Sequence, residues 1–301
     1  RIMIPFYIYY SMFGLQRVGD LAWAAGDMRA RGFLLGGTAG RTTLNGEGLQ
    51  HEDGHSHILA STIPNCVSYD PTFAHEVAVI LHSGLKRMVE QQEDVFFYIT
   101  LMNENYTHPG LKPGTEEEIL KGMYLLETQG DGKSSLRVQL LGSGTILREV
   151  IAGAELLAQD FGVASDVWSC PSFNELRRDG LDAERYNLLH PTETPRQSFV
   201  SKQLSGHEGP VIAATDYMKT FADQIRPFLP AGRTFTVLGT DGFGRSDSRA
   251  KLREFFEVDR RYVAVAALYS LMKEGKVKPE VVNQAIQKYG INADRVNPAL
   301  A

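Results

Sequence analysis

Residues 4–10 read IPFYIYY, an apolar and aromatic run that predicts the first β-strand of the molecule. The run lacks the alternation of polar and apolar residues seen in half-exposed strands, so we expect it to be covered on both faces. It follows Arg1 almost at once, without a start methionine, a signal peptide or a polar leader. We therefore expect the chain to be the C-terminal part of a larger polypeptide.

Strand and helix patterns alternate from this run to about residue 103. The further predicted strands cover residues 33–35, 65–69 and 95–101, and the predicted helices cover residues 12–31 and 74–90. In the second helix, apolar residues recur at helical spacing on one face: Val77, Ile80, Leu81, Leu85 and Met88. Alternating strands and helices predict a parallel sheet flanked by helices.

Turn-forming and charged residues crowd the stretch between residues 103 and 135, which predicts a connection between two domains. A second alternating pattern follows this stretch. Its strands are predicted at residues 138–141, 167–170, 211–215 and 235–238, and its helices at residues 146–161, 218–229, 251–256, 262–274 and 279–289. The predicted fold class is α/β, with two open sheets that are parallel or mixed.

The composition excludes several classes of protein. Apolar residues make up 43% of the 301 positions and charged residues 22%, which is typical of a globular chain and not of a disordered one. A net charge of −5 predicts no general attraction to nucleic acid or to an anionic membrane. No apolar run reaches the ~20 residues of a membrane-spanning helix. Cys66 and Cys170 lie far apart and suggest no disulfide framework, which favours a cytoplasmic location.

A long loop after the second predicted strand is the first candidate for a functional site. Residues 36–57 read GGTAGRTTLNGEGLQHEDGHSH. Loops of this length inside a compact domain are more often functional than idle, and this one follows the carboxyl end of a strand, where open α/β sheets bind ligands. His51, His55 and His57 supply groups that titrate or donate hydrogen bonds.

Three interpretations of this loop compete. Imidazoles and carboxylates are good metal ligands, but the fixed spacing of a paired-histidine helix motif is missing. The histidines can instead act in acid–base chemistry or orient a substrate. The third interpretation is a surface loop whose histidines hydrogen bond to their own backbone.

Two other glycine-rich stretches carry weaker signals. Residues 141–145, LGSGT, resemble a dinucleotide-binding turn that lacks its third glycine, and a tight strand-to-helix turn is the simpler prediction. Residues 239–248, GTDGFGRSDS, resemble a phosphate-binding loop, but no lysine of the P-loop type follows them.

Three long motifs together carry a family resemblance. Residues 5–17 read PFYIYYSMFGLQR, residues 42–57 read TTLNGEGLQHEDGHSH, and residues 238–249 read LGTDGFGRSDSR. With the terminal VNPALA at residues 296–301, they closely resemble the homodimeric pyruvate dehydrogenase decarboxylating component. The resemblance runs the length of the chain. It implies two domains of transketolase type, an N-terminally incomplete aminopyrimidine-binding domain at residues 1–127 and a C-terminal domain at residues 128–301.

The resemblance assigns roles to four residues. Tyr10 matches a tyrosine that points at the substrate adduct, and His51 matches a histidine that contacts the substrate, so both are expected to be catalytic. Phe13 matches an aromatic residue that packs on the aminopyrimidine ring of the cofactor. Arg17 matches an arginine in a polar tunnel between the two cofactors of a dimer. His55 and His57 receive no assignment beyond shaping the loop.

The resemblance also implies cofactors and partners. It implies oxidative decarboxylation of pyruvate with thiamine diphosphate and transfer of the acetyl group to a lipoyl group of dihydrolipoyl acetyltransferase. Magnesium is expected to bind a domain that this chain lacks, so the isolated chain is expected to be inactive, and the enzyme is expected to be a homodimer. The alternatives are a related 2-oxo acid dehydrogenase or transketolase, and a non-catalytic metal-binding or scaffold module built on the histidine-rich loop.

Overall fold

Four parallel strands form the first sheet of the chain, whose computed structural model describes residues 3–131 and 134–301. The strands are β1 (Phe6–Tyr10), β2 (Phe33–Gly37), β3 (Cys66–Tyr69) and β4 (Phe96–Thr100). Their spatial order is β1-β2-β4-β3. The prediction of a parallel sheet in this half is therefore confirmed.

The first strand is present, but the prediction that it is covered on both faces is wrong. Strand β1 lies at the edge of the sheet and pairs only with β2. Tyr7 is 62% exposed and Ile8 is 68% exposed. An apolar run indicates that a strand needs cover but does not say which surface provides it, and within the described residues Tyr7 and Ile8 stay exposed on opposite faces of the strand.

Helices α1 to α4 accompany the first sheet: α1 (Leu15–Asp27), α2 (Ser56–Ala60), α3 (Ala74–Leu85) and α4 (Glu116–Lys121). The apolar stripe predicted for α3 is partly wrong, because Leu85 is exposed. The buried line of α3 runs through Glu76, Ile80 and Gly84 and continues to Met88 in a π-helical turn. A buried glutamate and a glycine carry no hydrophobic signal, so the pattern of apolar residues identified only part of the buried face.

Five strands form the second sheet: β5 (Tyr124–Gln129), β6 (Arg137–Gly142), β7 (Ala164–Ser169), β8 (Val211–Ala214) and β9 (Phe235–Leu238). Their order is β5-β7-β6-β8-β9, and only β5 is antiparallel to its neighbour. The sheet is therefore mixed. The sequence pattern did not predict β5, whose residues 125 and 127 flank a register shift against β7.

Seven helices follow in the second half: α5 (Leu147–Phe161), α6 (Phe173–Leu189), α7 (Phe199–Ser205), α8 (Lys219–Asp223), α9 (Arg249–Phe255), α10 (Arg260–Lys273) and α11 (Pro279–Lys288). The helix predicted over residues 218–229 breaks after α8. Pro227 disfavours helical geometry in the residue before it, and only a 3-10 turn forms at Arg226–Phe228. Among the described residues, no helix combines the length and apolar character needed to cross a bilayer.

The first sheet with its helices is called the first unit below, and the second sheet with its helices the second unit. The predicted division at residue 127 falls inside β5, which pairs with β7 of the second unit. The division into 1–127 and 128–301 stays a prediction, and the strand pairing favours a boundary before Tyr124. The largest core of the second unit includes Leu140 of β6, Leu157 of α5 and Leu268 of α10.

His57 lies in the interface between the first and the second unit, which we call the seam. Its ring is fully buried and lies 4.9 Å from the ring of Phe221 and 4.8 Å from the ring of Tyr217. Its Nε2 atom is 2.9 Å from the hydroxyl oxygen of Thr100. Burial lowers the pKa of His57 to about 3, against the opposing effect of the Asp53 carboxylate. The imidazole is therefore a neutral packing element that joins the two units.

We predict that His57→Phe destabilises the protein at pH 8 but not at pH 5.5. The variant loses the bond to Thr100, worth about 1 kcal/mol at pH 8. The lowered pKa gives the wild type a stability contribution that is fully present above pH 6.5. Below pH 6.5 the free energy of unfolding of the wild type falls by about 1.4 kcal/mol per pH unit, because only the unfolded chain takes up a proton on His57.

The measurement is urea unfolding of both proteins at the two pH values. Phenylalanine cannot be protonated, so the deficit of the variant should close or reverse at pH 5.5. His82→Phe, on the exposed surface of α3, is the control. An equal deficit for His57→Phe at both pH values would contradict the prediction.

Candidate active site

Three aromatic rings meet at the carboxyl end of β1, and we call them the aromatic cluster: Tyr10, Phe13 and His51. Tyr10 ends β1, Phe13 ends the 3-10 turn that follows, and His51 belongs to the loop after β2. The ring of His51 lies 5.5 Å from that of Tyr10 and 5.1 Å from that of Phe13. The rings of Tyr10 and Phe13 are 5.7 Å apart. Residues 41 positions apart thus converge on one place.

Arg17 adds a cation to this cluster. It lies in the first turn of α1, and its guanidinium carbon is 4.9 Å from the centre of the Phe13 ring. A cation at this distance from an aromatic ring is attracted by the electron density of the ring. All four residues predicted as site residues are therefore close together.

Strand pairing explains why the loop reaches β1. In the parallel register of β1 and β2, Tyr10 is the partner of Gly37, so both strands end at the same edge of the sheet. Residues 38–55, called the site loop, continue from Gly37. Gly48 has a φ of +86°, which favours glycine, and the His51 amide donates to its carbonyl oxygen at 3.2 Å. This turn presents His51 to the end of β1.

Asp53 ties the site loop to α1. Its carboxylate is fully buried and accepts a hydrogen bond from Gln16 Nε2 at 2.7 Å. The same carboxylate accepts the backbone N–H groups of His55 and Ser56, each at 3.0 Å, and the hydroxyl of Ser56. Gln16 directly precedes Arg17, so these bonds also hold the start of α1. The sequence analysis did not single out Gln16, although it lies within the motif at residues 5–17.

Several buried polar atoms around the aromatic cluster have no hydrogen-bond partner within the described residues. They are Ser11 Oγ, Gln16 Oε1 and His51 Nδ1. Glu47 Oε2 lies 3.3 Å from His51 Nδ1, within ion-pair distance, but the two atoms are not aligned for a hydrogen bond. Buried polar groups normally find a partner. Unpaired donors and acceptors beside three aromatic rings fit a polar heteroaromatic ligand.

Three buried carboxyl groups lie where the site loop meets the second unit: Glu52, Asp70 and Asp216. Burial raises the pKa of each to about 7. Asp216 accepts the Thr42 amide at 3.1 Å, which anchors the start of the loop. The buried guanidinium of Arg41 lies among these groups and donates to the carbonyl oxygen of Gly242. The site loop thus meets the second unit through buried ionisable groups, and burial disfavours the charged form of each of the three carboxyl groups.

The three loop histidines do not form one site. His51 lies in the aromatic cluster, whereas His57 packs against the second unit, and burial lowers the pKa of the half-buried His55. Across residues 3–131 and 134–301, no group of three or more histidine, cysteine or acidic side chains has an arrangement suited to a metal ion. The metal interpretation of the loop therefore has no support from the described residues.

The glycine-rich stretch at residues 141–145 forms a strand-to-helix turn between β6 and α5. Asp70 of the first unit fills the position that a ligand phosphate would need. The amide of Gly144 donates to the carbonyl oxygen of Asp70 at 3.1 Å, and the Ser143 hydroxyl donates to its carboxylate at 2.9 Å. This stretch joins the two units.

Comparison with protein families places both units. Residues 1–109 match the family model of the pyruvate dehydrogenase E1 component middle domain, and residues 122–259 match that of the transketolase-like C-terminal domain. The fold is similar to that of a transketolase from Campylobacter jejuni, with a TM-score of 0.67 at 16% identity over 89% of this chain and 36% of that chain. The expected transketolase-type fold is therefore confirmed.

Curated relatives are much more similar in sequence. The pyruvate dehydrogenase E1 component of Cupriavidus necator is 64% identical over 296 residues, which are 98% of this chain. The Escherichia coli K12 protein of the same name is 62% identical over 300 residues, 99% of this chain. In both cases the match covers 33% of the relative, so the chain spans about a third of their length.

We predict that Asp53→Ala lowers the free energy of unfolding by about 3 kcal/mol, because several donors lose a buried acceptor. Urea unfolding measures this change. Asp20→Ala, at an exposed position of α1, should change the same quantity by less than about 0.5 kcal/mol. Similar losses for the two variants would show that Asp53 does not hold the loop.

Proposed function

We propose that this chain is part of a pyruvate dehydrogenase E1 component and that it supplies the aminopyrimidine side of a thiamine diphosphate site for the oxidative decarboxylation of pyruvate. The observation that carries the proposal is the aromatic cluster of Tyr10, Phe13 and His51. The 64% identity to a relative of that name favours pyruvate over the substrates of transketolase or of 2-oxoglutarate dehydrogenase.

Each residue of the cluster has a role in this proposal. Phe13 packs on the aminopyrimidine ring, and the half-exposed Tyr10 and His51 face the substrate. When bound, thiamine diphosphate supplies the nucleophilic carbon that attacks the ketone of pyruvate. The Tyr10 hydroxyl and the His51 imidazole donate hydrogen bonds to the oxygen that becomes negatively charged in this attack. The aromatic rings exclude water from the decarboxylation step.

Arg17 has a different role, because it lies at the rim of the cluster. Its side chain is exposed next to the exposed surface of α1. We propose that it becomes part of a polar passage between two cofactor sites when two protomers assemble. A guanidinium there stays protonated and holds water or carboxylates in a fixed arrangement.

We propose a homodimer in which the exposed face of the first unit is covered. Large apolar residues exposed on β1 and α1 include Tyr7, Ile8, Leu21 and Trp23. Apolar surface of this extent next to a site typically marks a protein interface. The proposal further includes transfer of the acetyl group to a lipoyl group of dihydrolipoyl acetyltransferase, within a pyruvate dehydrogenase complex in the cytoplasm.

We propose that magnesium and the diphosphate of the cofactor are bound outside this chain. Within the described ranges, no cluster of acidic, histidine or cysteine side chains suits a metal. Magnesium in such sites usually takes its ligands from carboxylates, water and phosphate oxygens. The residues of the aromatic cluster therefore serve only the organic ring system of the cofactor.

His51→Ala should lower the turnover of pyruvate by roughly 10²-fold, because the variant loses a hydrogen-bond donor at the developing negative charge. The assay uses the complete enzyme with thiamine diphosphate and magnesium. Thermal unfolding of the same samples separates chemistry from folding. His51 is partly exposed, so the midpoint should shift by only a few degrees.

His82→Ala is the matched control, since His82 lies on the exposed surface of α3, away from the cluster. It should leave both turnover and thermal midpoint unchanged. Unchanged turnover in His51→Ala would remove His51 from the reaction.

Calorimetric titration of the 301-residue chain with thiamine diphosphate and magnesium chloride should show no binding in the micromolar range. The reason is that the proposal gives the aromatic cluster one ring of the cofactor to bind and places the ligands of the diphosphate and of magnesium outside this chain. Binding in the micromolar range would contradict the proposal that these ligands lie outside the chain. If such binding is seen, Phe13→Ala is the variant that tests whether the cofactor binds at the aromatic cluster.

A further inference from the structure

Residues 239–249 follow β9 in the second unit and run along the site loop of the first unit. The Gly46 amide donates to the Asp247 carbonyl oxygen at 3.0 Å, and the Ser246 hydroxyl donates to the Gly46 carbonyl oxygen at 2.9 Å. Arg249 Nε donates to the Thr43 carbonyl oxygen at 2.7 Å. The second unit therefore fixes the backbone of the loop that carries His51.

Glu52 extends this contact to the residue next to His51. Its side chain is fully buried, and Oε2 accepts the Arg245 amide at 2.7 Å. Its other oxygen, Oε1, has no hydrogen-bond partner in the described part of the chain. Burial raises the pKa of Glu52 to about 7, although the bond from Arg245 acts in the opposite direction. The Arg245 amide of the second unit thus helps to hold a buried carboxyl group in place, together with the backbone of Gly48 in the site loop.

Gly244 makes the closest approach to this carboxyl group. A Cβ atom at Gly244 would lie 2.8 Å from Glu52 Oε2, 2.9 Å from Glu52 Cβ and 3.0 Å from Leu49 Cα. The backbone of Gly244 is not in the left-handed region, so the constraint is one of space alone. The contact with Leu49 Cα is a contact with backbone, which cannot move aside as a flexible side chain can.

The two residues that Gly244 contacts stand on either side of His51 in the chain. Leu49 lies inside the turn that the His51 amide closes onto Gly48, and Glu52 directly follows His51. A displacement of both by a few tenths of an ångström would move the imidazole relative to Tyr10 and Phe13. Small misplacements of this kind reduce rates strongly in catalytic sites.

We propose that Gly244 and Glu52 are positioning residues that set the place of the His51 imidazole, so that the second unit controls the geometry of the site. Their effect on turnover rests on the function proposed above. Their effect on the environment of His51 does not depend on it. The stretch at residues 239–248 is then part of the support of the site and does not bind a phosphate.

The test compares Gly244→Ala, Glu52→Gln and Glu52→Ala with the wild type. Histidine-labelled protein gives the Cε1–H resonances by nuclear magnetic resonance, and the His51 resonance is the one missing from His51→Ala. Gly244→Ala and Glu52→Ala should each shift this resonance and lower pyruvate turnover about tenfold. Glu52→Gln keeps an acceptor for the Arg245 amide, so its resonance and turnover should stay closer to those of the wild type.

Gly206→Ala is the matched control, because Gly206 lies in the same unit with a φ of −84° and no atom within 4 Å of its Cβ position. It should leave the His51 resonance and the turnover unchanged. If Gly244→Ala does not fold, the contrast between Glu52→Ala and Glu52→Gln decides the question. A His51 resonance that is unmoved in the folded variants would overturn the inference.

The two readouts distinguish this inference from the proposed function. If the His51 resonance shifts as expected but the wild-type enzyme does not decarboxylate pyruvate, the positioning role stands and the proposed function fails. If turnover falls while the His51 resonance does not move, the second unit affects the reaction by another route and the inference is wrong.

Discussion

The site depends on the parallel pairing of β1 with β2. Because Tyr10 and Gly37 are partners in this register, the two strands end side by side, and the loop after β2 starts beside the ring of Tyr10. A shift of one residue would turn every side chain of β1 to the opposite face of the sheet and would separate Tyr10 from His51. The edge position of β1 adds a second constraint, because the cluster then lies next to an uncovered apolar surface and not in the interior of the chain.

The site loop is held by charge as much as by packing. Asp53 satisfies donors from α1 and α2, and Asp216 holds the start of the loop from the second unit. Burial of carboxyl groups is costly, and the raised pKa of Asp216 records that cost. The second unit therefore holds both the start of the loop and the residue that follows His51. This explains how a segment rich in glycine can present one imidazole at a fixed distance from two other rings.

Local patterns in the sequence predicted most of the strands and the parallel first sheet, because apolar runs between turn residues depend on near neighbours. The predictions failed where residues far apart in the sequence determine burial or strand register. Residues 4–10 gave the correct strand but the wrong burial, since an apolar run does not identify the surface that covers it. The register shift around residues 125–127 and the position of Leu85 depend on partners far along the chain. Pro227, by contrast, was a readable signal against one continuous helix over residues 218–229, because it has no N–H for a helical hydrogen bond.

The four site residues came from long motifs that resemble a known family, and the aromatic cluster agrees with them in space. No local rule would have connected Gly244 with Glu52, which are almost 200 positions apart. The motif at residues 239–248 resembled a phosphate-binding loop only weakly, and its glycines at 239, 242 and 244 lie close to protein atoms. A glycine-rich stretch indicates that something must come near the backbone, and only the fold identifies the neighbour. Here the neighbour is the loop that carries His51, so the second unit helps to build the candidate site.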